Sequence, residues 1–334
     1  MDPLTQGLFG AGINQYTTPA RKYRGLSLMI GFLAGMAADL DILINSQQDP
    51  LLFLHYHRQF THSLIFIPIA ALIISGILYP LLRKKISFTQ IYLFAVLGYA
   101  THGLLDACTS YGTQLFWPIS DLRIAWNLVS VIDPLVTIPM LVLMALLWIK
   151  KKPIFGQLAL AYAVAYICLG AVQQYRATEV IEELAQKRGH QPTNYLLKPT
   201  LGNLLLWRSI YEYQGTYYVD AVRVFVDKTV HEGASAKKLK TDVDLPWLQP
   251  DSQQAKDISR YSRYSDGYLA LDSRDSRFVY DIRYSMMPDS TKPLWGIRLK
   301  PEQMNEHVEY RVDRSTSSSD KKRFVQMLFA TKAQ

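Results

Sequence analysis

Three histidines and three aspartates in the first third of the chain carry the chemistry this sequence can offer. His102 and Asp106 are four apart, so on a helix they share a face. That spacing can present an imidazole and a carboxylate to one metal ion. Asp39 and Asp41 are two apart, which separates them by about 200° on a regular helix. They share a centre only if the helix breaks, near Gly35 or at its outer end. His57 and His62 flank Arg58 and Thr61 at a loop-to-helix boundary, where convergence is easy. Mixed imidazole and carboxylate ligands suit zinc, and also manganese or iron. Taken alone, His102 and Asp106 also fit a neutral hydrogen-bonded pair joining helices, and Asp39 or Asp41 could pair with Arg58. The coincidence of all six favours a metal site. Two further residues are catalytic candidates. Arg58 could grip a phosphate through two parallel hydrogen bonds, and Asp133, just before Pro134, either caps a helix or takes part in catalysis. His55 reads as a loop histidine. Thr61 or Ser63 is expected to cap the helix that follows.

The elements that position these residues are membrane spans. Residues 1–175 hold 11 Lys/Arg, 7 Asp and no Glu. That density of charge is far below the roughly 25% of soluble domains. Five apolar runs, at 25–45, 63–83, 88–108, 131–149 and 154–175, approach the ~20 residues a spanning helix needs. Pro68, Pro134 and Pro139 are tolerated inside such a bundle. The first 16 residues are too short to span and read as an amphipathic or re-entrant segment. Nine cations (Arg21, Lys22, Arg24, Arg83, Lys84, Lys85, Lys150, Lys151, Lys152) lie in alternate loops, against Arg58 and Arg123 in the others. This bias puts the N-terminus in the cytoplasm and residues 176–334 outside it, in the periplasm of a Gram-negative cell. At 1.5 Å per residue, Asp39 and His102 each lie roughly 20 Å from the cytoplasmic ends of their helices. The six residues therefore meet at one depth in the outer leaflet. Ionisable groups there cost at least about 2.5–3.5 kcal/mol each, so they persist where they pair, line water or bind an ion.

Residues 176–334 hold 25 basic and 21 acidic residues. A charged helix, RATEVIEELAQKRG, continues from the fifth run and stops at Gly189. Alternating aromatic-rich runs follow: LLLWRSIYEY and TYYVDAVRVF joined across Gln214–Gly215, then FVYDIRYSM, LWGIRLK and HVEYRV. They predict a mainly antiparallel sheet. Helices are expected near 252–264 and 320–330, with a loop at 315–320. His190, His231 and His307 are isolated and read as ordinary histidines. The fold class is thus an α-helical polytopic membrane bundle (residues 1–175) followed by a β-rich α+β extramembrane domain (176–334). The net charge of +8 divides evenly between the halves, so no nucleic-acid footprint stands out. Cys108 and Cys168 offer no disulfide framework.

Residues 1–175 resemble the YdjM-like bacterial inner-membrane proteins, a family described as metal-dependent hydrolases. The matching pieces are MDPLTQGLFGA, ADLD at 38–41, HRQFTHS at 57–63, THGLLDACTSYGTQLFWP at 101–118 and VIDPLVTIPML at 131–141. The likeness extends more loosely into LLLWRSIYEYQGTYYV. That family is grouped distantly with zinc-dependent phospholipase C and single-strand nuclease enzymes. The resemblance implies Asp39, Asp41, His57, His62, His102 and Asp106 as metal ligands. It departs at Gln6, where many relatives carry His; if that His is a ligand in them, this chain has a weaker or smaller site, or a different metal. The expected function is a membrane-embedded metal-dependent hydrolase acting on a lipid-like phosphoester at the outer leaflet. The alternatives are a metal-binding transporter or sensor and a non-enzymatic envelope scaffold. The apolar inner halves of the helices disfavour a path through the membrane. Membrane lipids are the expected partners, and the outer domain is expected to meet an envelope partner.

Overall fold

Residues 1–329 are described by a computed structural model of the chain. They divide into two units, Met1–Leu43 with Tyr56–Val172 and Leu201–Leu204, and Ile44–His55 with Gln173–Thr200 and Leu205 onwards. The first unit opens with α1 (Pro3–Ile13), started by Pro3 in the first turn and by Asp2, whose carboxylate accepts from the Thr5 amide at 3.0 Å. Of the expected amphipathic or re-entrant segment, the amphipathic form does not hold, because α1 is buried along most of its length. Residues Thr5 to Gly12 are all buried, and α1 packs on α3 (Arg24–Met36) and α6 (Phe88–Ala107). Glycine makes this approach geometrically feasible: a Cβ at Gly10 would lie 2.2 Å from the Gly31 carbonyl oxygen, and one at Gly31 would lie 2.2 Å from that of Gly10. Backbone touches backbone, as small residues allow in membrane bundles.

Between α1 and α3 runs a short α2 (Thr18–Lys22), and after α3 the chain tightens into a 3₁₀ run at Ala37–Leu43. The next elements are α4 (Leu52–Tyr56), 3₁₀ turns at Phe60–His62 and Leu64–Phe66, and α5 (Ile67–Leu82). A reciprocal Ser87–Gln90 capping box starts α6. Asp133 and Pro134 start α7 (Pro134–Lys150), and α8 (Ile154–Lys187) follows. Among the described residues, four stretches are long and apolar enough to cross a membrane: Arg24–Leu43, Leu64–Leu82, Phe88–Ala107 and Ile154–Lys187. The fourth expected run gives the shorter α7, of 17 residues. Pro68 and Pro134 sit in first turns, where their missing N–H is harmless, while Pro139 lies inside α7. The charged continuation of the fifth run is part of α8 itself, and Gly189 follows it with φ +72°. Apolar packing between α3, α5 and α6 centres on Ile30, Ala34, Ala71, Phe94 and Ala95.

The second unit holds two antiparallel four-stranded sheets. One runs in order β1 (Tyr195–Pro199), β2 (Leu206–Tyr213), β3 (Thr216–Val224) and β4 (Lys228–Lys237). The other comprises β5 (Leu269–Asp272), β6 (Asp275–Asp281), β7 (Trp295–Arg298) and β8 (Glu309–Val312). Gln214 and Gly215, at φ 50° and 74°, form the β2–β3 turn. Ile210, Tyr217, Val219, Ala270, Tyr280 and Ile282 form a common core. The helices are α9 (Thr241–Asp244), α10 (Gln253–Tyr264) and α11 (Ser318–Phe329). The expected loop at 315–320 ends early, because Ser317 and Asp320 cap α11 reciprocally. Residue 330 of the expected 320–330 helix lies outside the described residues.

Candidate metal centre

Four side chains converge on one point: Asp39, His62, His102 and Asp106 offer donor atoms all within 4.8 Å of one another. They come from three places in the chain. Asp39 stands on the 3₁₀ run that ends the α3 span, so the helix does tighten where the paired aspartates need it. His62 closes the Phe60–His62 turn, and His102 and Asp106 are one helical turn apart on α6. A Cβ at Gly103 would lie 2.4 Å from the His62 carbonyl oxygen, so only glycine lets α6 come this close to the turn. The rings of His62 and His102 are 4.6 Å apart, edge to face.

The hydrogen bonds assign the proton on each ring. His102 Nδ1 lies 2.6 Å from the Gly35 carbonyl oxygen, which only accepts, so Nδ1 carries a proton and, in the neutral ring, Nε2 carries the lone pair. Thr61 Oγ1 donates to Asp41 Oδ2 at 2.8 Å and therefore accepts from His62 Nδ1 at 2.9 Å. In the neutral ring His62 Nε2 then carries a lone pair as well. His62 Nε2, His102 Nε2 and Asp106 Oδ2 are buried without a hydrogen-bond partner. Yet His62 Nε2 lies 3.1 Å from Asp106 Oδ2 and 3.5 Å from Asp39 Oδ1. His102 Nε2 lies 3.3 Å from Asp39 Oδ1 and 3.5 Å from Asp106 Oδ2. Buried donor atoms grouped in this way could hold a metal ion. Bonds of about 2.0–2.2 Å in a tetrahedron separate ligand atoms by roughly 3.4 Å, which these distances match. The residues fit a metal ion, and the engaged Nδ1 atoms are the outer hydrogen bonds that metal-binding histidines use to hold their orientation.

Asp41 and His57, expected beside the other four, stand apart from that centre. With Asp39 they form a second group that could hold an ion. Asp41 already accepts from the Arg58 amide at 2.9 Å and from Thr61, and its Oδ1 lies 2.8 Å from His57 Nδ1. Its oxygens thus order the 57–62 turn and brace His62. Thr61 and Ser63 cap no helix; the Ser63 hydroxyl donates to the Phe60 carbonyl.

The two catalytic candidates are engaged elsewhere. Arg58 adopts φ +61°, an uncommon conformation for a side chain with a Cβ. It is 4% exposed, with Nε 3.1 Å from Asp106 Oδ2, Nη1 donating to Thr109 at 3.1 Å, and its guanidinium over the Tyr111 ring. Its cation therefore faces a candidate ligand rather than an open phosphate site. Asp133 caps α7 by accepting from the Leu135 amide, receives the Tyr166 hydroxyl at 3.0 Å, and belongs to neither acid–histidine group.

Gln6, singled out in the sequence as a departure from the resembling family, stands on the other side of Asp106, a contact the sequence did not disclose. Gln6 Nε2 donates to Asp106 Oδ1 at 2.9 Å, and the Met1 amine pairs with the same oxygen. Thr109 and Tyr111 complete the surroundings of Arg58. Besides the resemblance, Gln6 stands out as a single amide side chain among the small and apolar residues of LTQGLFGAG.

Among curated proteins, the Uncharacterized protein YfhP of Bacillus subtilis (strain 168) is 27% identical to the chain over 195 residues, 58% of each sequence. The chain thus matches a little over half the length of that relative. No solved structure matches it. Residues 1–177 match the family described as YdjM inner membrane protein. That stretch is more than half of the sequence, and it contains every residue of both acid–histidine groups; this membrane protein belongs to the YdjM inner membrane protein family.

Proposed function

We propose that the chain is a metal-dependent hydrolase embedded in the membrane, with zinc as the resident ion and a lipid-like phosphoester as substrate at the outer leaflet. The observation that carries this reading is the convergence of buried His62 Nε2, His102 Nε2 and Asp106 Oδ2, none of which makes a hydrogen bond, with Asp39 on one point. Two histidines and two aspartates suit zinc, and manganese or iron after it. When bound, such an ion acidifies a water and polarises the bond to be cleaved. The chain's own residues do the rest. Arg58 and Gln6 hold Asp106 in place, the Gly35 carbonyl and the Thr61–Asp41 pair aim the two imidazoles, and Asp39, with 22% of its side chain exposed, forms the open side.

A lipid-like substrate is supported by what lies beside that turn. The segment closed by the Thr113–Ile124 bridge exposes Phe116, Ile119 and Leu122, with Ile119 at 88% and Leu122 at 65%. It is tied to the site at three points: the Gln114 amide donates to the Arg58 carbonyl, Arg123 donates to the His57 carbonyl, and the Leu64 amide donates to the Leu115 carbonyl. Apolar groups so exposed next to a polar site suit the membrane interface. Elemental analysis of the detergent-purified protein tests the reading, beside His102→Ala and with turnover of a short-chain phospholipid in mixed micelles. About one tightly held zinc or more per wild-type chain is expected, with metal and turnover both lost in His102→Ala. Less than about a tenth of an equivalent in the wild type would refute the metal, and metal without phosphoester cleavage would refute the hydrolase.

A further inference from the structure

Ile44–His55 joins the two parts of the candidate centre that lie outside α6, yet it packs as part of the C-terminal unit. Asp39 and Asp41 precede this strap; His57 and His62 follow it. Asp49, eight residues from both Asp41 and His57, is where it is gripped. Arg260 on α10 donates through Nη1 to Asp49 Oδ1 at 3.1 Å and through Nη2 to Asp49 Oδ2 at 2.8 Å, a two-pronged charged pair. Asp257 steadies the arginine from below at 3.2 Å, and His307 Nδ1 in turn lies 2.9 Å from Asp257 Oδ2. Asp49 also accepts from the Leu51 amide, and Leu51 is fully buried. Two aromatic contacts complete the attachment: His55 Nδ1 lies 3.1 Å from the Tyr264 hydroxyl, and Phe53 meets the edge of Tyr310 at 5.2 Å.

We propose that Arg260 is a positioning residue for the metal centre, holding Asp49 so that the strap delivers Asp39 and Asp41 at one end and His57 and His62 at the other in the spacing an ion requires. The inference rests on the metal reading above. It gives the sheet unit a task in that chemistry although none of its residues is among the four donors. Metal affinity is sensitive to such support, because a donor displaced by a fraction of an ångström no longer completes the set.

Cobalt affinity of the full chain in detergent, stripped of metal and titrated against a competing chelator, provides the test, with the visible d–d absorption reporting tetrahedral coordination. Partners bonded directly to ligands are typically worth 10–100-fold in affinity, so Arg260→Ala and Asp49→Asn, one step further out, should each weaken binding by up to about tenfold. Because they break one pair, the double variant should bind about as weakly as either single one. Arg277→Ala, which breaks an exposed pair with Asp275 in β6, should leave affinity unchanged. Wild-type affinity in Arg260→Ala, or a double variant weakened by the product of the single effects, would overturn the inference while leaving the metal reading intact. Failure of the wild type to bind cobalt would overturn both.

Discussion

Arg58 shows how one side chain's surroundings change the reading of its role. An arginine alone between positions 25 and 82 invites a substrate phosphate as its partner. Its Nε instead faces Asp106 Oδ2, while Nη1 holds Thr109. Lysine keeps the charge but cannot reach both groups. Arg58→Lys is therefore expected to lower zinc retention roughly tenfold, the effect of losing a group that orients a ligand. Metal content after dialysis against a chelator checks this, and full retention would return Arg58 to the substrate. The residue types of the candidate centre were legible in the sequence, as was the shared face of His102 and Asp106. The division of labour was not. Asp41 looks identical to Asp39 on paper, and only the Thr61 hydroxyl and the Arg58 amide reveal that it braces a histidine.

Helices were easier to foresee than their packing. The apolar runs from 25 to 175 gave the spans because period and length leave little else for such residues to do. Nothing in that logic says that α1, short and uncharged beyond Asp2, is buried against α3 and α6. The glycines carry that information through the clash any other residue would meet. Gly31→Ala places a Cβ 2.2 Å from the Gly10 carbonyl oxygen and 2.4 Å from the Asn14 side chain. Overpacking of this kind costs about 1–3 kcal/mol. The expected outcome is a lower unfolding temperature in detergent together with loss of metal, because Gly35, whose carbonyl holds His102, lies one turn further along α3. An unchanged melting curve would show that the helices can separate freely. In the second unit, β2, β3, β6, β7 and β8 announced themselves by alternation. β4 did not: KTVHEGASAK buries little and places Gly233 where a Cβ would lie 2.2 Å from the Asp289 carbonyl oxygen. β1 is a five-residue strand ending in proline, too short to show a period.

For the whole molecule, orientation is the claim that most needs an experiment. Nine cations in one set of loops against two in the other predict that a reporter active only outside the cytoplasm works when fused to the C-terminus and fails when fused near Lys85. The reverse pattern would turn the proposed centre towards the cytoplasm. The contiguous division at residue 175 was too simple in one respect: a twelve-residue excursion between the first two spans packs with residues more than 130 positions later, and no local pattern could disclose that. The scattering of the donors also has a consequence in time. Asp39, His62 and the His102–Asp106 pair leave the ribosome in that order, and the pair sits near the end of the third span. On the proposed reading, no ion can be fully captured until about 110 residues have been made and α6 has been inserted. In the folded chain His62, His102 and Asp106 are buried, while 22% of the Asp39 side chain is exposed. On that reading loading would follow insertion of α6, with the Asp39 carboxylate as the point of entry.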